Sequence, residues 1–318
     1  MFKHRRLIEG CFMRENPIFQ VSIALTDTIP LNVYLVKGSD YAVWIDSGIK
    51  SMFPQLQATM QRAGVAANDL RFILHTHSHH DHIGSNAQLK MLTGCLIAAH
   101  PHYARWHSDF EFHYQDFARA FPHLMPDTPA LRAEVLDILD EPRPLDIMLQ
   151  EDNEFHLGGG VSLRAVSLPG HMLAEFGWFE ASTRTLILGD AVTGLEWGLF
   201  HSHLTVQGYR SSLDKIRWLI SEWGIQEVLF AHFMPMQPAE ALLLLDKAHA
   251  YIDSIEANLI RMLAEKEQVT LQELWSGLCS RMNRLQEFRS LNMVYAHIKD
   301  LLEREFIREV GTETYQLR

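Results

Sequence analysis

Five histidines fall within eight residues, in the run His75-Thr76-His77-Ser78-His79-His80-Asp81-His82-Ile83-Gly84. The run is internal and carries acid and hydroxyl residues, so it is not a purification tag. Imidazole and carboxylate are good ligands for first-row divalent metals. Two ligand registers are open. One uses His75, His77 and His80; the other uses His77, His79, Asp81 and His82.

The elements around this run must hold it. Arg71 to Leu74 reads as a strand that delivers the run directly. Before it, Phe19 to Leu25, Leu31 to Val36 and Tyr41 to Ile45 read as strands rich in β-branched and aromatic residues. Their close spacing predicts antiparallel pairing. Ser51 is placed to cap a helix from Met52 to Ala63, which Gly64 stops. Later, Val161 to Leu168, Thr185 to Leu188 and Glu227 to Phe230 read as strands, and Gln207 to Trp223 as an amphipathic helix. Hairpins mixed with alternating strands and helices predict an α/β layered domain with helices outside the sheets.

Two stretches stand apart. Residues 100–150 are rich in aromatics, among them Tyr103, Trp106, Phe112, Tyr114 and Phe117, and are broken by Pro122, Pro126 and Pro129. They read as a helical insertion that either adds packing or walls a substrate pocket. A long helix from Ala239 to Lys266 ends the main domain, placing the boundary between units of residues 1–240 and 241–318. Beyond it, Leu271 to Leu278 and Met293 to Glu305 read as helices and Phe306 to Leu317 as a hairpin, an order that resembles a winged helix. From Glu267 to Arg318 there are seven Lys/Arg and eight Asp/Glu. A unit that reads DNA should be basic, so a structural or dimerising role is expected.

The second register matches H-x-H-x-D-H and resembles the signature of the metallo-β-lactamase-fold hydrolases, in the branch of glyoxalase II and the lactonases. That resemblance implies a four-layer αββα sandwich and three further ligands, each just after a strand. The chain offers Ser167-Leu168-Pro169-Gly170-His171, Leu188-Gly189-Asp190 and Leu229-Phe230-Ala231-His232. Upstream, Trp44-Ile45-Asp46-Ser47-Gly48 looks like the family's first motif. The match runs from about Phe19 to Ala239.

The resemblance implies a dinuclear site. His77, His79 and His171 would hold one metal, Asp81, His82 and His232 the other, and Asp190 would bridge them. Asp46 would orient a ligand histidine by hydrogen bonding. Seven N/O ligands are too many for one tetrahedral ion but suit two that share a carboxylate. Two such ions, ~3.5–4 Å apart, can bridge one hydroxide that attacks a carbonyl. Asp81 and a bound water are the candidates for general acid. Two divalent ions are therefore expected, zinc first, with iron and manganese also fitting His/Asp ligation. His201 and His203 follow Asp190 closely and are candidates for substrate contact. His100, His102, His107, His113, His123, His156 and His297 are read as ordinary surface or core residues, as are His75 and His80, which fall outside the second register.

Departures narrow the chemistry. The best-known zinc β-lactamases carry a cysteine where this chain has Asp190, which argues against β-lactams. The lactonase branch carries a tyrosine after the bridging aspartate, whereas Asp190-Ala191-Val192-Thr193-Gly194 has none. The step from His82 to His171, 89 residues, is long for glyoxalase II because of the aromatic insertion. Nucleases of the family insert a domain before the last histidine, and here Asp190 and His232 are only 42 residues apart. The expectation is a hydrolase of a small ester, thioester or lactone. Two alternatives stand beside it: a mononuclear iron enzyme similar to the persulfide dioxygenases, and a metal-binding regulatory protein.

Composition agrees with an ordinary globular enzyme. The chain has 318 residues, 47% hydrophobic and 21% charged, with a net charge of −11. That balance argues against a general polyanion binder. No apolar stretch approaches the ~20 residues of a membrane span. Charges at Glu9, Arg14 and Glu15 leave no apolar h-region for a secretory signal. Cys11, Cys95 and Cys279 form neither a disulfide framework nor a metal pair. A cytoplasmic protein acting on a small molecule is expected, with no membrane or nucleic-acid partner. The aromatic insertion and the C-terminal unit are the candidate surfaces for a homodimer.

Overall fold

The computed structural model describes residues 16–193, 195 and 203–318. Two sheets face each other. The first is six-stranded, in the order β1 (Ile18–Ala24), β2 (Pro30–Lys37), β3 (Ala42–Ile45), β4 (Leu70–Leu74), β5 (Leu96–Ala99) and β6 (Ile147–Met148). The hairpins β1–β2 and β2–β3 are antiparallel, as expected from their spacing, and β3 to β6 run parallel. The second sheet is five-stranded, with β7 (Glu154–Gly158), β8 (Val161–Ser167), β9 (Phe176–Glu180), β10 (Thr185–Ile187) and β11 (Glu227–Leu229) in reverse order across it.

Strand alternation builds the layers. Along β2, Leu31, Val33 and Leu35 point to one face and pack with Met52, Leu56 and Met60, on or just before helix α1 (Phe53–Arg62). Tyr34 and Val36 point to the other face and meet Leu163, Ala165 and Trp178 of the second sheet. Helices α2 (His80–Ile83) and α3 (Asn86–Thr93) follow β4, and Leu89 of α3 joins the α1 side. The insertion supplies α4 (Ala104–Ser108), α5 (Phe110–Phe117) and α6 (Pro129–Leu136). On the far side of the second sheet, Leu213, Ile216 and Ile220 of α7 (Val206–Glu222) pack with Ala241 and Leu245 of α8 (Pro238–Ala264). The result is the expected αββα sandwich.

Two local details differ from expectation. Ser51 caps nothing: a 3-10 turn, Lys50–Met52, leads into α1, whose first turn carries Pro54. Gly64 does stop the helix, at φ 63°.

Helix α8 belongs to two cores. Its first half joins the second sheet, and its second half buries Ile255, Leu259 and Leu263 with α9 (Leu271–Arg281) and α10 (Phe288–Glu303). A small sheet of β12 (Val269–Thr270), β13 (Ile307–Gly311) and β14 (Thr314–Leu317) completes this unit. Helix, strand, two helices and a hairpin follow the expected winged-helix order. Helix α10 starts five residues before the expected Met293, because Glu287 accepts hydrogen bonds from the Arg289 and Ser290 N–H groups. Among the described residues, no helix is long and apolar enough to cross a membrane.

Candidate metal centre

Five loops leave the ends of β3, β4, β8, β10 and β11 and converge at one edge of the sandwich. They carry Asp46, the His75–His82 run, His171, Asp190 and His232. Cross-sheet bonds fix the last loop: Asn32 Nδ2 donates to the carbonyls of Phe230 (3.1 Å) and Phe233 (2.7 Å), and the Tyr34 hydroxyl donates to Phe230 (2.7 Å). A buried polar group keeps its place because leaving it unpaired costs ~1–3 kcal/mol.

The second register is the one the fold brings together. His77, His79, His171 and Asp190 form one group whose ligand atoms lie within 4.8 Å of one another. His79 presents Nδ1, 3.1 Å from His77 Nε2 and 2.9 Å from His171 Nε2. Tetrahedral ligands at ~2.0–2.1 Å from an ion are ~3.3 Å apart, so both separations from His79 Nδ1 are near those of neighbouring ligands on one ion. Asp81, His82 and His232 form a second group, with His232 Nε2 3.3 Å from Asp81 Oδ2.

Asp190 stands between them. Its Oδ2 is 3.5 Å from His171 Nε2 and 3.4 Å from His232 Nε2, and its Oδ1 is 3.8 Å from His82 Nε2. Asp190 Oδ1 and His82 Nε2 are buried and make no hydrogen bond. Burial works against a charged His82, but Asp81, Asp46 and Asp190 outweigh it and push its pKa up to about 9. Burial likewise opposes charge on His232, and Asp190 and Asp81 drive it well above the ordinary histidine value. The carboxylates thus demand positive charge at this point. Divalent cations meet that demand, so the donor set fits metal ions.

Outer contacts orient the rings. His82 Nδ1 donates to Asp46 Oδ2 at 2.9 Å. The Thr76 hydroxyl donates to the same oxygen at 2.7 Å and lies 3.0 Å from His77 Nδ1. His232 Nδ1 donates to the Pro30 carbonyl at 2.8 Å. In each case Nε2 is left to face the clusters.

Sequence reasoning missed Glu175. It is fully buried, and its Oε1 accepts the Asp190 N–H at 2.8 Å. Burial and the neighbouring Asp190 charge hold its carboxyl well above the usual range. A lone glutamate four residues after His171 carries no spacing signal. His75, outside the chosen register, bonds Asp46 and Asn86 instead.

Above the clusters lies a pocket of about 380 Å³. Its walls include Leu25, Ile29, Phe117, Ile138, His80 and Arg289. His80, read as an ordinary residue, therefore faces the space above the ligands. Phe117 of the insertion lies 4.4 Å from the His79 ring and 4.9 Å from Phe288 of the C-terminal unit, centroid to centroid. The insertion is thus both packing and pocket wall. Tyr103, Trp106, Tyr114 and Phe117 point inward and are buried, so these rings do not form the exposed aromatic face expected of a dimer surface. Of the two candidates for substrate contact, His201 lies outside the described residues. His203 is buried and is not among the described residues that line the pocket: its Nε2 is 2.9 Å from His297 Nε2 and its ring stacks on Tyr209. Cys95 and Cys279 are free and buried and belong to neither ligand group.

Known proteins agree with this architecture. A family model, the Metallo-beta-lactamase superfamily, matches residues 27–219. A hydroxyacylglutathione hydrolase of Methylococcus capsulatus is 28% identical over 154 residues, which cover 48% of this chain and 45% of that protein. This chain thus matches less than half the length of that relative. A metallo-beta-lactamase family protein from Thermus thermophilus superposes with a TM-score of 0.75 at 19% identity, covering 95% of this chain and 99% of its own. A beta-lactamase domain protein from Burkholderia ambifaria gives 0.72 at 16% identity, covering 96% and 94%. Both likenesses extend over the C-terminal unit, whereas a subclass B3 enzyme of Bradyrhizobium japonicum covers only 74% of this chain, with a TM-score of 0.53 at 18% identity. With the sandwich, the five convergent loops and a match over most of the chain, the protein belongs to the metallo-beta-lactamase superfamily.

Proposed function

We propose that the protein is a hydrolase that holds two divalent metal ions and cleaves a small ester, thioester or lactone. One observation carries this reading: Asp190 turns one oxygen toward His171 and His232 and the other toward His82. When bound, divalent ions supply acidified water and polarise a carbonyl. The chain's own residues do the rest. Asp46, Thr76 and the Pro30 carbonyl hold the imidazoles in the tautomer that presents Nε2. Phe117, Leu25, Ile29 and Ile138 exclude water from the substrate's apolar part. Asp81 lines the pocket; burial alone would raise its carboxyl, but His82 and His232 hold it well below the usual range, so a bound water is the candidate that protonates the leaving group. The likeness to a hydroxyacylglutathione hydrolase supports a thioester among the candidates.

The C-terminal unit supports a catalytic rather than a DNA-reading role. Helix α10 buries Leu291, Val294, Ile298 and Leu301 and turns its start into the pocket, so it is not free to enter a groove. A metal-loaded preparation screened on esters, thioesters and lactones tests the proposal. Turnover in one class supports it. Two bound equivalents of metal with no turnover in any class would overturn it.

A further inference from the structure

Among the described residues that line the pocket, Arg289 is the one Lys or Arg. Two carboxylates hold its guanidinium. Nη1 donates to Glu287 Oε2 and Nη2 to Glu134 Oε1, each at 2.7 Å. The two acids are not equivalent. Glu287 caps α10, and its oxygens accept the Arg289 and Ser290 N–H groups at 3.1 Å each, so it is built into the helix start. Glu134 reaches in from α6, 155 residues away in sequence, and its side chain is 48% exposed. One acid anchors the arginine, while the other sits on its open side at the pocket wall.

We propose that Glu134 holds the place of a substrate carboxylate. The substrate is then an ester or thioester whose acyl chain ends in a carboxylate, which Arg289 takes in exchange for Glu134. This rests on the hydrolase reading above. The planar guanidinium matches a carboxylate with two parallel bonds, and it already holds carboxylates on both sides. Exchange is one anion for one, so the pocket gains no charge beside Asp81 and Asp190. The apolar walls, Leu25, Ile29, Phe117 and Ile138, suit a methylene chain.

The test compares 4-nitrophenyl hexanoate with mono-4-nitrophenyl adipate on the metal-loaded protein. The readout is the ratio of their kcat/KM values, so a general loss of activity cancels. Arg289→Met should lower the adipate-to-hexanoate ratio about tenfold to a hundredfold, the worth of one charge-assisted contact. Glu134→Gln should raise it, because the competing anion is gone. A purely structural latch between α6 and α10 would leave both ratios unmoved, and that result overturns the proposal. Glu134→Gln alone decides the matter where Arg289→Met fails to fold. If neither ester is turned over, the screen of thioesters and lactones decides the hydrolase reading. Calorimetry with N-phenyladipamate and N-phenylhexanamide then tests the carboxylate site by itself. Tighter binding of the acid, reduced in Arg289→Met, upholds the site; equal binding of the two overturns it.

Discussion

Asp46 and His82 are joined by a 2.9 Å hydrogen bond from imidazole Nδ1 to carboxylate Oδ2. The same oxygen accepts the Thr76 hydroxyl, which lies beside His77 Nδ1. One carboxylate therefore orients a histidine in each cluster. Burial alone would raise its pKa, but the His82 charge and the hydrogen bonds from His75 and His82 hold it below the usual range. Asp46 thus stays an acceptor. Its backbone sits at φ 60°, which Asn also tolerates, so Asp46→Asn keeps the turn while removing the charge and one of the two acceptor oxygens. Metal affinity should fall about 10- to 100-fold, measured by competition with a chromophoric chelator. Unchanged affinity would mean that Asp46 does not orient the ligands.

Asp190 and His80 are both buried at the floor of the pocket, yet only Asp190 faces both clusters. Asp190→Ala should lower metal content from about two equivalents and remove most hydrolytic activity. His80→Ala should keep the metal, since His80 belongs to neither ligand group. Elemental mass spectrometry of both variants settles the register. Loss of metal in His80→Ala but not in Asp190→Ala would reverse the assignment.

The candidate ligand set was legible because its members lie in short motifs, each at the end of a recognisable apolar strand. The sandwich was legible for the same reason: β2 is a mainly apolar run buried on both faces and α7 keeps a helical period. What stayed hidden depends on contacts between distant segments. Glu175 matters only because the chain folds its carboxylate onto the Asp190 amide. Arg289 reaches the pocket only because α10 begins early and docks on Phe117 through Phe288. The contact of His203 with α10 was hidden too, because nearness to Asp190 in sequence says nothing of that helix. No local pattern records such pairings.

Gly170 precedes His171, and a Cβ there would lie 2.5 Å from Tyr209 Cα. The obstacle is backbone at the start of α7, which cannot move aside as a flexible side chain would. Gly170→Ala should therefore shift the His171 loop and cost about 1–3 kcal/mol of stability. Urea unfolding measures the loss, and a chelator titration should show one cluster weakened. A variant as stable as the parent would show that α7 yields.

The C-terminal unit should prove inseparable from the sandwich. Ile255, Leu259 and Leu263 on the second half of α8 are almost wholly buried in the core of the C-terminal unit. Phe117, which closes over His79, rests on Phe288. A chain ending at Ala264 would expose each of these side chains, and full burial of one such group is worth ~1.5–3 kcal/mol. The bared stripe would also be a large contiguous apolar patch, which soluble monomers rarely tolerate. The truncated protein should bind a hydrophobic dye strongly and elute as aggregate in size-exclusion chromatography with light scattering. A monodisperse product with the parent's melting temperature would show instead that the sandwich is self-sufficient, and that α10 reaches the pocket as a guest rather than as part of its wall.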